Sequence, residues 1–382
     1  MATLQIEHLV RRFGQAAPAL DGLSLSVAEQ EFVFLLGPSG AGKTTTLRLT
    51  AGLDQPDSGR ILLGGRDMAG IAPRDRNVAM VYDKNSLYPH LNVFENMAYP
   101  LRLRRMTDSD IRSRIGRTAE ILGIGHLLDR RPGQLSGGQQ QRVAIGRALV
   151  RDASIYLMDE PISHLDAKLR AHMRVEFKKL QREFAATILY VSHDQLEAMT
   201  MGDRIVVIDK GRVQQVGTPR QIFDTPANRF VAEFVGEPAM NTLDCALVQD
   251  GGDWRAEAPG VSLHLNAGWV TRHGLQNRRA GGVVLGMRPQ HLTLAAPGDA
   301  GQPNVETGRV YAVETLGSET VYDVESGGRI LRIWSRRAPD GRALPAIGAP
   351  ISFRVDPGAL HLFDSGTGQA LAHPDPGPRR AA

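Results

Sequence analysis

A glycine-rich run that ends in lysine and threonine carries the clearest chemical signal in this sequence. The run is Gly37, Pro38, Ser39, Gly40, Ala41, Gly42, Lys43 and Thr44. Glycines let backbone N–H groups turn onto phosphate oxygens, and the N-terminus of a following helix adds a favourable dipole. Lys43 would place its charge on the β- and γ-phosphates, the Thr44 hydroxyl would bind Mg²⁺, and Thr45 would reach the α-phosphate. The run predicts a phosphate-binding loop, or P-loop; the alternative is an ordinary glycine-rich turn.

Two adjacent carboxylates, Asp159 and Glu160, follow a short apolar run that ends at Met158. Asp159 is suited to hold Mg²⁺ through water, and Glu160 is suited to act as a general base on an attacking water. A pair of acidic residues has little specificity by itself. Its place at the C-terminal end of a buried strand, where ligands of α/β sheets collect, favours a catalytic interpretation.

A serine and two glycines precede a long helical segment, within the run Leu135, Ser136, Gly137, Gly138 and Gln139. The glycines would let the backbone approach a phosphate, to which Ser136 adds a hydroxyl and the helix start adds its dipole. The alternative is a helix-capping turn with Ser136 as the cap. Beside a P-loop, the phosphate interpretation is favoured.

Short apolar strands and amphipathic helices alternate from Leu4 to about Val235, which predicts an α/β domain with a largely parallel sheet. Buried strands are predicted at Phe32 to Leu36, Ile155 to Met158 and Ile188 to Val191. Between the last two, apolar positions at steps of three and four predict one helix face; they are Leu165, Leu169, Met173, Phe177, Leu180 and Phe184.

The stretch from Leu101 to Asp129 is helical in composition and rich in arginine, which indicates an inserted helical subdomain. The arginines form either a solvated face or a surface that meets a partner or anionic lipid; they are Arg102, Arg104, Arg105, Arg112, Arg114 and Arg117. After Gly236, short strand-like runs with Gly and Pro between them predict a small barrel or sandwich.

Composition limits the remaining possibilities. A length of 382 residues suggests two or three domains. The single cysteine, Cys245, allows no intrachain disulfide, and no stretch has the length and apolarity of a membrane span. The N-terminus lacks the apolar segment of a signal peptide. A net charge of +4 does not indicate a nucleic-acid partner.

The P-loop, the Leu-Ser-Gly-Gly-Gln run and the Asp-Glu pair, in that order, resemble the ABC-transporter ATPase family. The resemblance implies that ATP is the cofactor and that Lys43, Glu160 and His193 are the catalytic residues. In the family, Ser163 to Asp166 would be the D-loop, and His193, which ends a strand, would lie near the γ-phosphate. Phe13 stands where the family stacks adenine on an aromatic ring; the alternative is a packed core residue.

The resemblance is greatest to importers of the maltose, glycerol-phosphate and glycerol group. It rests on four segments, which are Leu87 to Asn96, Asp166 to Arg170, Phe234 to Asn241 and Met287 to Leu292. One position departs from the family, because Asp83 stands after Tyr82 where the Q-loop normally carries glutamine. Asp83 remains a candidate Mg²⁺ ligand beside Thr44 and Asp159, although its charge near a triphosphate is unfavourable unless offset.

The fold expected is α/β, with a P-loop nucleotide-binding domain over residues 1–235 that carries a helical insertion at about 85–150. An all-β, OB-like regulatory domain follows at 236–372, and a disordered tail at 373–382. The resemblance implies a peripheral ATPase on the cytoplasmic face of the membrane that powers import of a sugar, polyol or similar small polar solute.

Its implied partners are two membrane-spanning permease subunits, indirectly a solute-binding protein, and a second ATPase subunit. That subunit is either identical or, as Asp83 and His164 favour, related but different. In the family, Ser136, Gly137, Gly138 and Gln139 complete the ATP site of the partner. The alternatives are a soluble ABC ATPase outside transport and a nucleotide-binding regulatory subunit with little turnover.

Overall fold

The structure, a computed structural model, describes residues 3–82, 86–250, 253–277, 282–336 and 345–374. The chain divides into two compact units, Met1–Pro219 and Arg220–Ala382. Within the described residues, no helix is both long enough and apolar enough to cross a membrane. Each unit has a hydrophobic core of its own, so each is described separately.

The first unit contains two sheets and six helices among the described residues. Its strands are β1 Leu4–Arg11, β2 Leu20–Val27, β3 Phe32–Leu36, β4 Ser58–Leu63, β5 Arg66–Asp67, β6 Val78–Val81, β7 Ile155–Asp159, β8 Ile188–Ser192, β9 Arg204–Asp209 and β10 Arg212–Gly217. Its helices are α1 Lys43–Ala51, α2 Val93–Arg102, α3 Asp108–Ile121, α4 Gly137–Leu149, α5 Ala167–Glu183 and α6 Gln195–Met201.

The central sheet has the order β10-β9-β3-β8-β7-β6, and all its strands are parallel except β10. Every residue of β3, β7 and β8 is buried, as the continuous apolar runs predict for strands covered on both faces. The three predicted strands are thereby confirmed. Because parallel strands end at one edge, this sheet brings the residues after β3, β7 and β8 together.

A second, antiparallel sheet of order β2-β1-β4-β5 completes the first unit. Side chains of β2 alternate between buried and less buried positions, the pattern of a half-buried strand. Phe13 lies in the turn that joins β1 to β2. This sheet was not predicted, because alternation over so few residues is a weak signal beside the long apolar runs.

Helices α2, α3 and α4 lie in succession between β6 and β7, so the predicted helical insertion is present. Four of its arginines have local partners: Arg102 binds Glu95, Arg104 binds Asn77, Arg114 binds Asp152, and Arg117 binds Glu183. These side chains are solvated and paired within the unit. That arrangement favours the solvated-face interpretation of the basic stretch.

The second unit is mostly β. Its elements are α7 Pro219–Asp224, α8 Arg229–Phe234, β11 Asn241–Asp250, β12 Asp253–Ala258, β13 Val261–Leu265, α9 Ala267–Arg272, β14 Val283–Met287, β15 Leu292–Leu294, β16 Val305–Leu316, β17 Glu319–Ser326, β18 Arg329–Arg336, β19 Pro350–Val355, β20 Leu360–Asp364 and β21 Ala370–Ala372. They form two antiparallel sheets, of order β13-β12-β11-β14-β20-β21 and β15-β19-β16-β17-β18. The strand-like runs predicted after Gly236 all lie within these strands; they are Val283 to Met287, Arg309 to Val313, Thr320 to Val324, Ile330 to Trp334 and Ile351 to Val355.

The division between the units falls earlier in the chain than the boundary expected at Val235. Arg288, which is 1% exposed, explains the difference. Its guanidinium donates to the backbone oxygens of Phe223, Ala232 and Val235, and it stacks on the Phe223 ring at 4.1 Å from the centroid. These bonds attach the segment of α7 and α8 to the β-rich unit.

The start of the predicted tail also differs in the structure. His373 is described, and it is held in place: its backbone oxygen accepts a hydrogen bond from Trp269 Nε1 at 3.2 Å. Its ring Nδ1 lies 3.1 Å from Nδ1 of His361. Residues 375–382, the remainder of the predicted tail, lie outside the described residues.

Candidate nucleotide-binding site

The P-loop joins the buried strand β3 to helix α1, as the sequence predicts. Gly40 and Gly42 have φ of +80° and +103°, a backbone conformation that favours glycine. Gly37 is required for space, because a Cβ there would lie 2.3 Å from the backbone oxygen of Ile208. The loop is therefore a cradle built by glycine, and the alternative of an ordinary turn does not describe it.

Lys43 is buried at the base of this loop, with 6% of its surface exposed. Its ammonium donates to the backbone oxygens of Gly37 at 2.8 Å and Pro38 at 2.9 Å. Burial lowers the pKa of Lys43, and the nearby carboxylates of Glu160 and Asp159 act in the opposite direction. The ammonium is held in the loop by two backbone oxygens, where a phosphate oxygen could replace either of them.

Thr44 lies in the first turn of helix α1, and its hydroxyl donates to Asp159 Oδ1 at 3.1 Å. Asp159 is the last residue of β7 and is buried, so the parallel sheet delivers its carboxylate to the start of α1. A hydroxyl and a carboxylate oxygen in contact are hard oxygen ligands of the kind that Mg²⁺ prefers, together with phosphates. These two residues therefore fit a magnesium ion.

Glu160 and His193 meet at the same edge of the sheet. Oε2 of Glu160 lies 2.9 Å from Nδ1 of His193. The Glu160 backbone has a φ of +47°, uncommon for a residue with a side chain, and its oxygen accepts from the Ser163 hydroxyl at 2.9 Å. Unfavourable backbone geometry of this kind is found most often at functional sites.

The residues Ser136 to Gln139 start helix α4 and bind each other. The Gln139 N–H donates to the Ser136 hydroxyl at 3.3 Å, and the Ser136 N–H donates to Oε1 of Gln139 at 2.9 Å. This is a capping box, so the capping role that was the alternative interpretation is present. Gly138 is close to Leu165 and Leu169, because a Cβ there would lie 3.3 and 3.4 Å from their side chains.

Phe13 is 50% exposed, so it is not the packed core residue that was the alternative. The guanidinium carbon of Arg11 lies 4.8 Å from the centre of its ring. An exposed ring at the turn after β1 is available to stack on a planar ligand. Asp83, the third metal ligand expected from the sequence, lies outside the described residues.

Two buried polar residues near the site were not identified from the sequence. Arg76 donates to the backbone oxygens of Leu49, Thr50, Met68 and Ile71, and so fixes the C-terminal end of the helix after the P-loop. Glu197 is 2% exposed and lies in α6, just after His193. A glutamate four positions after a predicted catalytic histidine was the only signal for it.

Comparison with known protein families finds three matching models. The ABC transporter model matches residues 20–163, the MalK OB fold domain model matches residues 236–292, and the TOBE domain model matches residues 285–363. The first covers the P-loop, the capped turn before α4 and the Asp-Glu pair. The other two cover most of the β-rich unit.

Curated relatives align along almost the whole chain. The trehalose/maltose import ATP-binding protein MalK of Thermococcus litoralis is 42% identical over 97% of this chain and 100% of its own. The sn-glycerol-3-phosphate import ATP-binding protein UgpC of Salmonella typhi is 42% identical over the same shares. Among solved structures, the dimeric bacterial ABC transporter cassette MJ0796 is 31% identical, with a TM-score of 0.53, over 57% of this chain and 99% of its own.

Three features define the class of ATP-hydrolysing P-loop proteins: a P-loop after a strand of a parallel sheet, an Asp-Glu pair at the end of another strand of that sheet, and a histidine in contact with the glutamate of that pair. The chain belongs to the ABC-transporter family, and its β-rich unit matches the MalK OB fold domain and the TOBE domain. It binds ATP and is an ATPase coupled to the transport of a solute across a membrane. Subunits of this kind work as dimers with membrane permease components.

Proposed function

We propose that this chain powers the import of a sugar, a polyol such as glycerol, or a related small polar solute. The contact between Glu160 and His193 carries the proposal, because a site without turnover has no need for a general base beside an imidazole. Two relatives are named as import proteins for trehalose or maltose and for sn-glycerol-3-phosphate, which supports a sugar, a polyol or a related compound as the solute.

The mechanism assigns one task to each residue of the site. Phe13 stacks on adenine, and the loop from Gly37 to Gly42, with Lys43 and Thr45, binds the phosphates. Glu160 accepts the proton of a water whose oxygen forms a bond to the γ-phosphorus, while the bond from that phosphorus to the bridging oxygen of ADP breaks. His193 donates a hydrogen bond to the γ-phosphate as its charge redistributes.

Thr44 and Asp159 would hold Mg²⁺, which would neutralise phosphate charge when bound. Asp83 is a further proposed ligand, argued from the sequence alone. Ser136, Gly137, Gly138 and Gln139 are proposed to complete the ATP site of a second ATPase subunit. Ser136 caps helix α4, so the N-terminal end of that helix, with its positive dipole, lies at this turn and suits an anion.

The proposed assembly contains two ATPase subunits and two permease subunits on the cytoplasmic face of the membrane, and a solute-binding protein delivers the solute. Closure of the two ATPase subunits around ATP would move the permease. The second subunit is proposed to be related but different, since Asp83 and His164 depart from the family. A nucleotide-binding subunit with little turnover is the second candidate, and the negative charge of Asp83 is the observation that favours it.

The test is to co-express the whole operon of the transporter, with every ATPase and permease subunit that it encodes, and to weigh the purified complex by native mass spectrometry. A complex with one copy of this chain and one different ATPase, whose hydrolysis rises when solute and binding protein are added, is expected. Two copies of this chain and no other ATPase would overturn the unequal pair. A complex that hydrolyses no ATP would overturn the proposal that this chain powers transport.

A further inference from the structure

Glu197 is a buried carboxyl group beside the ATP site that the mechanism above does not use. It lies in the first turn of helix α6, four residues after His193. We propose that Glu197 is a positioning residue for His193, and that it acts through Ser192 and the backbone of Asp194. The proposal rests on the role proposed above for His193, and it adds the group that sets the position of the imidazole.

Ser192, the residue directly before His193, makes two hydrogen bonds through one hydroxyl. It donates to Oε2 of Glu197 at 2.9 Å, and it accepts from the N–H of Asp194 at 2.9 Å. Ser192 is 2% exposed, so water cannot readily replace these partners. The acceptor on Glu197 therefore orients the hydroxyl that holds the backbone on the other side of His193.

Asp194, the residue directly after His193, is held by the same helix. Its carboxylate accepts from the N–H of Leu196 at 2.8 Å and from the N–H of Glu197 at 3.3 Å, which caps the start of α6. Both neighbours of His193 are thus fixed to the first turn of α6. The backbone at His193 has little freedom while these bonds are intact.

The His193 side chain has much less support of its own. It is 59% exposed, and its ring Nδ1 contacts Oε2 of Glu160 at 2.9 Å. An exposed side chain keeps a defined position only if its backbone is fixed. The buried network behind it supplies that constraint, and a displacement of about 1 Å at a reacting group can cost about a hundredfold in rate.

The chemistry of Glu197 favours a functional reason for its burial. Burial raises the pKa of its carboxyl, and hydrogen bonds from Ser192 and Tyr190 act in the opposite direction. Tyr190 OH donates to the same Oε2 at 3.1 Å. The donors to Oε2 are neutral hydroxyls, and burial outweighs both these hydrogen bonds and the charge of Arg170, so the carboxyl group is less well stabilised here than in water. A residue that costs stability in this way is retained most simply for function.

The same carboxylate offers a matched pair of substitutions. Ser192→Ala removes the hydroxyl that links Glu197 to the backbone around His193. Tyr190→Phe removes the other hydroxyl bound to the same oxygen, but Tyr190 lies deeper in β8 and does not flank His193. Each variant loses a buried hydrogen bond to Oε2 of Glu197 of similar length, and Ser192→Ala also loses the bond from the N–H of Asp194. A merely structural role predicts that kcat falls in both variants in proportion to the fall in melting temperature.

The experiment measures ATP turnover and KM for ATP of the assembled transporter that contains this chain, and the melting temperature of the purified full-length chain. Ser192→Ala and Glu197→Leu are expected to lower kcat by about tenfold to a hundredfold with KM nearly unchanged, because the imidazole is displaced and the P-loop is intact. Glu197→Gln keeps the acceptor oxygen and should restore most of the turnover. Tyr190→Phe should keep kcat within a few-fold while lowering the melting temperature.

A double-variant comparison separates positioning from general damage. If Glu197 acts through His193, then Glu197→Leu added to His193→Ala should lower kcat no further. A further drop would overturn the proposal, as would equal losses of kcat in Ser192→Ala and Tyr190→Phe. If Glu197→Leu does not fold, Ser192→Ala decides alone. Full turnover in His193→Ala would instead contradict the mechanism proposed for the site. If His193→Ala is inactive but Ser192→Ala keeps its activity, only the role of Glu197 is overturned.

Discussion

The Glu160 carboxylate contacts the His193 imidazole at 2.9 Å, across 33 residues of sequence. The contact exists because β7 and β8 are parallel neighbours, with Asp159 in register with Val191. Each residue follows the end of its strand, so the sheet brings base and imidazole together within one subunit. The proposed general base and the imidazole are therefore in contact within a single subunit, without any contribution from a partner subunit.

Replacing Lys43 should remove both binding and hydrolysis of ATP. Lys43→Ala loses a charge-assisted contact to phosphate, and we expect ATP affinity to fall about a hundredfold or more. Calorimetric titration of the purified chain with ATP measures this affinity. Lys179→Ala is the control, because Lys179 pairs with Glu176 and is 64% exposed. Equal affinity in the two variants would contradict the assignment of the P-loop lysine.

Phe13→Ala should weaken ATP binding without weakening the fold. Stacking of a base on an aromatic ring contributes about 1–3 kcal/mol, so we expect Kd to rise about tenfold. Phe13→Trp keeps the stacking surface and should bind ATP nearly as well as the original chain. The ring is half exposed, so the melting temperature should change little. An unchanged affinity of Phe13→Ala for ATP would show that Phe13 does not stack on adenine.

A chain that stops after Pro219 should fold better than one that stops after Val235. The longer truncation keeps α7 and α8 but loses their packing on the second unit, where Ala232 contacts a core with Met240, Val284 and Phe363. It also loses the Arg288 bonds to that segment. Limited proteolysis and thermal melting compare the two. Greater protease resistance in the longer truncation would place the boundary at Val235.

The second unit should lose stability as the pH falls below about 6.5, the ordinary pKa of histidine. His361 is 2% exposed, and burial, with His373, Arg288 and His291 as further causes, lowers its pKa to about 3. Between these values the unfolded chain binds a proton that the folded chain does not. Stability should therefore fall by up to about 1.4 kcal/mol per pH unit.

Urea unfolding from pH 7 to pH 5 measures this effect by tryptophan fluorescence. All three tryptophans, Trp254, Trp269 and Trp334, lie in the second unit and report on it alone. His361→Gln should flatten the pH dependence, while His264→Gln, which changes an exposed histidine of the same unit, should leave it as it is. The same slope in His361→Gln as in the original chain would contradict the assignment.

Much of the ATP site could be predicted from the sequence because its chemistry is local. The P-loop, the Asp-Glu pair and the serine-glycine turn are each contiguous, and each lies at the end of an element with a strong apolar pattern. The buried runs of β3, β7 and β8 marked the parallel sheet for the same reason.

Contacts that depend on strand order could not be predicted from local pattern. The bond from Thr44 to Asp159 and the burial of Glu197 both require β7 and β8 to lie at particular places in the sheet. Arg288 entered the sequence analysis only as part of the segment Met287 to Leu292. Nothing in the local sequence shows that its guanidinium donates to backbone oxygens of residues 223–235. The contact-based division near Pro219 and the boundary predicted at Val235 therefore differ by the segment that Arg288 holds.

The most direct test of the account is the behaviour of Glu160→Gln in the presence of ATP. This variant loses the general base, which typically costs about a hundredfold to ten-thousandfold in rate, but keeps the groups that bind ATP. Size-exclusion chromatography with light scattering, with and without ATP, measures its mass in an equimolar mixture with the second ATPase subunit of the transporter. We predict a dimer that forms only with ATP and hydrolyses it very slowly. A protein that stays monomeric at saturating ATP, or that turns over ATP within a few-fold of the original rate, would contradict the account.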